Sequence, residues 1–184
     1  MSKLKLIFLA IPLSFIFNVN VNAQSTGMLE EVVVTAQKRE ESLQDTPIAI
    51  TAITESTIDD LDIANVVDLA GMAPNVHIIN TPSNNTAATI AMRGGTTINP
   101  AITWEPTVAM YLDGVYLGKS QGSIFDVVDL ERVEILRGPQ GTLYGRNTLG
   151  GAINLISKKP SGAGTSAKVT FGNYGLKKTQ LISD

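Results

Sequence analysis

Two alternating runs meet at Asp113-Gly114. Val108, Met110 and Leu112 share one face of the first run, and Val115 and Leu117 resume the pattern in the second. Period two is the periodicity of a strand. The two residues between the runs suit a type I′ turn, in which both central residues need positive φ, and Asp-Gly tolerates this. The segment is therefore an antiparallel β-hairpin, the firmest local element in the chain.

The elements around it are short. Ile48, Ile50 and Ala52 alternate as a strand, and Ser56 and Asp59 have capping-box spacing for a short helix through Leu61. Asn65 and Asp68 repeat that spacing, with Gly71 and Pro74 closing the second helix. Residues 76–79 form a strand, residues 80–86 are polar and form a loop, and residues 89–92 return as a strand ending at Arg93-Gly94-Gly95. A second long loop runs over about 96–106, and Ser123 and Asp126 could cap another short helix. Val133, Ile135 and Leu136 form a strand, residues 138–141 a turn, and residues 152–156 the last apolar strand. No internal repeat is visible. This is an α+β pattern, a short-stranded mixed sheet with two or three short helices. The tail differs: Ala167, Val169 and Phe171 alternate with Ser166, Lys168 and Thr170, residues 173–175 turn, and a second strand starts at Leu176. Membrane barrel strands carry this pattern, as does any half-buried antiparallel strand.

Lys3 and Lys5 precede an apolar run over 6–17, and Val21-Asn22-Ala23 offers small residues for cleavage after Ala23. The run is shorter than the ~20 residues of a spanning helix, so residues 1–23 read as an export signal. Without Lys3 and Lys5, 12 basic residues face 17 acidic ones, for a net charge of −5. Nucleic-acid binders usually present a basic face, so no such partner is expected. Acids cluster over 30–68 and bases over 132–178. Cysteine is absent, which excludes disulfides, thiolate metal sites and a cysteine nucleophile. His77 is the sole histidine, without a metal cluster around it, and the Gly-rich stretch 138–148 lacks the Gly-Lys-Ser/Thr ending of a P-loop. No catalytic, metal or cofactor residues are assigned.

Glu30-Glu31-Val32-Val33-Val34-Thr35-Ala36 is a β-branched run that favours an extended strand. It stands alone between Gln24-Ser25-Thr26-Gly27 and Gln37-Lys38-Arg39-Glu40-Glu41, with no hairpin partner nearby. Such a strand either joins a sheet in its own domain or waits for one in another protein.

Several of these segments resemble TonB-dependent outer-membrane receptors. Residues 30–36 resemble the TonB box. Tyr111-Leu112-Asp113-Gly114-Val115-Tyr116 resembles the hairpin of the plug domain. The long stretch from Val127 through Arg132-Val133-Glu134-Ile135-Leu136-Arg137-Gly138-Pro139-Gln140-Gly141 to Thr148 resembles the later half of the plug. Gly150-Gly151-Ala152-Ile153-Asn154-Leu155-Ile156 resembles its final strand. The resemblance implies residues 24–45 as TonB box and linker, 46–160 as plug and 161–184 as the start of an antiparallel barrel. It implies uptake of a scarce nutrient, typically a ferric siderophore, across the outer membrane. The implied partners are TonB, the external ligand and the receptor's own barrel. Glu31, Val32, Val33, Val34 and Thr35 form the handle, since a run of free backbone groups suits strand addition, and the charged linker behind it is read as flexible. Asn80, Asn84, Asn85, Thr97, Asn99 and Trp104 are the ligand candidates. Arg93, Glu131, Arg132, Glu134, Arg137 and Arg146 are the candidates for contacts with the barrel wall.

The chain ends at Asp184, whereas a barrel of about 22 strands needs roughly 200 residues for strands alone. A piece of a longer receptor, a truncated gene and a plug-only protein all fit. The expectation is the plug and energy-coupling module of a transport receptor, resident in the outer membrane. The alternative is a periplasmic binding module or a non-functional truncated receptor.

Overall fold

The computed structural model describes residues 31–183, apart from 82–83, 98–102, 125–126, 128, 161 and 163. The expected export signal, Asn99 and part of the helix expected after Ser123 lie outside them. All described elements belong to one compact unit, Glu31–Asp184.

Five strands form the central sheet: β3 (Ile50–Thr54), β7 (Val108–Leu112), β8 (Val115–Leu117), β9 (Leu130–Arg137) and β10 (Gly151–Ser157). Their order is β3-β9-β10-β7-β8. β10 runs parallel to β7 and the other neighbours are antiparallel, so the sheet is mixed as expected. The β7–β8 turn takes the conformation its sequence demands, with φ of 48° at Asp113 and 81° at Gly114.

β9 and β10 are covered on both faces, which explains the apolar run of β10, broken only by Asn154 and its flanking Gly151 and Ser157, and leaves Glu134 of β9 inside the domain. On one face, Ile53, Val133, Ile135, Ile153, Leu155, Val108 and Met110 form the main core. It is covered by Ile58 of helix α1 (Glu55–Asp60), by Val66 and Leu69 of a 3-10 turn, and by the two-stranded arm of β4 (Val76–Thr81) and β5 (Asn84–Met92). A two-residue strand, β6 (Gly95–Thr96), extends that arm. On the other face, Ala109, Tyr111, Leu136 and Ala152 meet Val34, Ala36 and Tyr144. Val34 belongs to strand β1 (Val33–Val34), paired with β2 (Glu41–Ser42), and Tyr144 to the one-turn helix α2 (Gly141–Tyr144). The alanines on this face leave room for the N-terminal strand to lie close.

Several local expectations change. The N-cap of α1 is Thr54, not Ser56: Thr54 leaves β3 extended, and its hydroxyl accepts the Thr57 N–H at 3.5 Å. The exit from the sheet therefore selects which hydroxyl caps. The Asn65/Asp68 capping box forms as read, closing a 3-10 turn at Val66–Leu69. Residues 80–81 and 84–86 are strand rather than loop, because β4 and β5 pair from Val76↔Met92 to Thr81↔Asn84. The ladder satisfies their backbone groups, and the Thr81 and Thr89 hydroxyls meet across it. Ser123 caps no described helix. Its hydroxyl instead accepts the Ala88 N–H at 2.9 Å and donates to the Ser120 carbonyl.

The tail forms a hairpin of β11 (Thr165–Phe171) and β12 (Lys177–Ser183). Its polar face turns toward the domain, where Lys168 Nζ lies 3.1 Å from Asp62. Ala167, Val169, Phe171 and Leu181 lie on the opposite face, and Phe171 and Leu181 are exposed. This is the alternation of a barrel strand. Among the described residues no barrel closes.

Candidate functional site

The valine run is the first element to place, because its surroundings differ most from the isolated strand expected. β1 is not alone. Residues 37–40 turn tightly, with Lys38 N–H donating to the Thr35 carbonyl, and β2 returns alongside. The charged linker is thus a hairpin connection at its start, not a leash. Local spacing allowed this return, but the burial of Val34 and Ala36 against the sheet is what holds it.

The ladder sorts the backbone groups of the run. Leu43 N–H donates to the Val32 carbonyl, and Val34 pairs with Glu41. Hydrogen-bonded residues alternate in an antiparallel pair, so Val33 and Thr35 turn their N–H groups to the opposite edge. That edge is where an added strand would pair. Val33 is 41% exposed, whereas the Thr35 N–H is already taken: it donates to Glu134 Oε1 at 2.7 Å.

Glu134 is 0% exposed. It lies in a row across the sheet, opposite Asn154 of β10, which is opposite Tyr111 of β7. Such a carboxylate must be fully provided with donors. Arg132 Nε donates to Oε1 at 2.9 Å, the Thr35 hydroxyl at 3.1 Å, and Asn154 Nδ2 reaches Oε2 at 3.4 Å. Asn154 Nδ2 also donates to the Tyr144 hydroxyl at 2.8 Å, and that hydroxyl donates to the Ala36 carbonyl at 2.8 Å. The Tyr111 hydroxyl donates to the Tyr144 carbonyl. The two rings meet edge to face with centroids 5.2 Å apart, and Lys38 Nζ sits 4.5 Å from the Tyr144 centroid and 5.1 Å from that of Tyr111. Glu134 of β9 and Tyr144 of α2 thus hold two successive residues, Thr35 and Ala36, and Asn154 of β10 and Tyr111 of β7 back them.

Burial pushes the Tyr144 hydroxyl above its ordinary value of 10.0. The hydrogen bond from Asn154 opposes this in part, and Glu134 and Tyr111 add to it. Burial, then Tyr116, raises Tyr111 as well. Both folded values lie above the unfolded one, so this stabilisation is complete below pH 10.0 and is lost as pH climbs through the raised values. Urea midpoints followed against tyrosinate absorbance should fall above that pH. Tyr144→Phe should make the fall shallower, and an unchanged slope would show that Tyr144 does not couple to folding.

The remaining candidates scatter. Glu134 is inside the domain, with no surface to offer a barrel wall, and Arg132 pairs with both Glu134 and Glu131. Arg146 forms an exposed pair with Glu105, and Arg93 lays its guanidinium over Gly138. Arg137 is half-buried, and its Nε has no hydrogen-bond partner among the described residues. Of the ligand candidates, Asn80 is exposed on β4, and Asn84, at the start of β5, accepts from the N–H and hydroxyl of Thr86. Asn85 also lies on β5. The Thr97 hydroxyl accepts the Thr107 N–H, and Trp104 is 57% exposed. These positions are spread over the arm and the 96–107 segment rather than gathered into one site. Sequence reading missed Lys38, Tyr111, Tyr144 and Asn154. A polar residue inside the apolar run Ala152-Ile153-Asn154-Leu155 was the available signal.

The family described as TonB-dependent Receptor Plug Domain matches residues 42–152. The pesticin receptor of Yersinia pestis is 33% identical over 141 residues, which cover 76% of this chain and 20% of that protein. The catecholate siderophore receptor Fiu of Escherichia coli is 32% identical over 142 residues, covering 74% of this chain and 17% of that protein. The crystal structure of the ferric yersiniabactin uptake receptor FyuA of Yersinia pestis matches with a TM-score of 0.57 at 30% identity, over 66% of this chain and 18% of that one. The pyoverdine outer membrane receptor FpvA of Pseudomonas aeruginosa shares the fold, with a TM-score of 0.66 at 22% identity over 81% of this chain and 21% of that one. The chain therefore spans about a fifth of the length of such relatives. With a mixed sheet covered on both faces and a family match over residues 42–152, the chain belongs to the TonB-dependent receptor plug domain family.

Proposed function

We propose that this chain is the gating and energy-coupling module of an outer-membrane receptor that takes up a siderophore-like iron chelate. It is exported by residues 1–23 and docks inside a barrel of which β11 and β12 are the first strands. Its relatives include a pesticin receptor, a catecholate siderophore receptor and a vitamin B12 transporter. The observation that carries the reading is the 31–35 run, in which Val33–Val34 form β1. It is short, β-branched, laid on the domain surface and edged by backbone groups that an incoming strand of TonB could pair with. Asn80, Asn84, Asn85, Thr97, Asn99 and Trp104 supply amides, hydroxyls and one indole for a polar chelate. Arg93, Glu131, Arg137 and Arg146 are the candidate charges with surface to meet a barrel wall.

Calorimetric titration of the purified chain with the periplasmic domain of TonB tests this. Binding is expected, and Val33→Pro should weaken it at least tenfold. Proline removes the Val33 N–H, which lies on the free edge, while leaving the Val32 and Val34 side of the β1–β2 ladder intact. No heat of binding from the wild-type chain or from Glu134→Gln would overturn the reading.

A further inference from the structure

We infer that Glu134 is the catch of the coupling strand: its carboxylate occupies the Thr35 N–H that an added strand must take, so the strand is available only when Glu134 lets go. This rests on the reading above that an added strand is the partner. Three observations converge on it. The Thr35 N–H lies on the pairing edge, not on the β2 edge. Its acceptor is a side chain rather than another strand, at 2.7 Å. That side chain is fully buried in the sheet, and Arg132 and Asn154 aim it at Thr35.

The arrangement has a consequence for energetics. A charge-assisted hydrogen bond to a buried carboxylate is stronger than the backbone bond that would replace it. A partner strand pairing at Val33 cannot extend to Thr35 without breaking that bond. The Tyr144 hydroxyl on the Ala36 carbonyl adds a second point of hold at the next residue. Release of the strand and unpairing of Glu134 are then one event. Any change that draws Glu134 or Arg132 away frees the handle without unfolding the sheet. Glu134 acts here as a positioning residue, holding the partner-binding segment rather than contacting the partner.

The chain contains no cysteine, so Val34→Cys places a single thiol at a position buried only while the strand is docked. Maleimide labelling of that thiol reports undocking with no partner present. Adding Glu134→Gln, which keeps the shape and removes the charge, should accelerate labelling on the order of tenfold or more. It should also tighten binding of the TonB periplasmic domain by a similar factor. Leu155→Ala, a cavity on the opposite face of the sheet, should leave labelling in the absence of denaturant unchanged, which separates a local catch from general loosening. Should Glu134→Gln not fold, Tyr144→Phe tests the same device, with labelling expected to rise severalfold. Unchanged labelling in the folded variant overturns the catch. Faster labelling without any TonB binding upholds the catch and overturns the assigned partner.

Discussion

Replacing Arg132 by alanine will destabilise the domain by about 3–5 kcal/mol, the range for removing one member of a buried ion pair. Arg132 is 11% exposed at the side chain and Glu134 is 0%. Without the guanidinium, Glu134 keeps Thr35 and Asn154 as neutral donors but has no counter-charge within the sheet. Removing Glu134 instead will cost less, because Arg132 is nearer solvent and still pairs with Glu131. The double variant Arg132→Met/Glu134→Leu will recover much of the loss, since an apolar pair of similar volume avoids the desolvation of both charges. Urea unfolding of the singles and the double measures this directly. Strongly non-additive changes are expected for groups in contact. Additive changes would mean that the two side chains do not act as a pair.

Gly151→Ala is the second large effect, at about 3 kcal/mol or more, from a clash and a strained φ acting together. Gly151 opens β10 with φ of 150°, and a Cβ there would lie 2.2 Å from both the Leu136 carbonyl oxygen and Met92 Sδ. The methionine can move but the β9 backbone cannot without breaking the ladder it shares with β10. Gly114→Ala is the comparison. Gly114 has φ of 81° in the hairpin turn with nothing within 4 Å of a Cβ, so only the conformational cost of about 1 kcal/mol applies. Chemical denaturation should separate the two variants by about 2 kcal/mol. Equal losses would show that the crowding at Gly151 relaxes.

Position in the sheet explains both effects, and it also explains what could be read beforehand. The Asp113-Gly114 turn, the Asn65/Asp68 cap and the alternation of the tail are set by residues a few positions apart, and each was legible. Thr54 displaced Ser56 as the cap because the direction in which β3 leaves the sheet is not a local property. The 80–86 segment read as loop because Asn and Thr side chains suit turns, yet the ladder between β4 and β5 satisfies the same backbone groups. Glu134 read as one of several charges meeting a barrel wall because sequence spacing carries no burial for a strand covered on both faces. Asn154 and Tyr144 were invisible as partners because they come together only through the β9–β10 register and the turn of α2.

The sequence by itself determined most strands of the central sheet, the hairpin turn, the α+β class and the family, since periodicity, turn chemistry and the long 127–148 motif are all written within short spans. Tertiary structure alone decided that the valine strand is docked rather than free, and that one buried carboxylate holds it. The physical reason is that a buried charge needs donors from every side. Arg132 stands two residues away on the same strand, but Thr35 and Asn154 are 99 and 20 residues away, and only the packed sheet brings them within hydrogen-bonding distance.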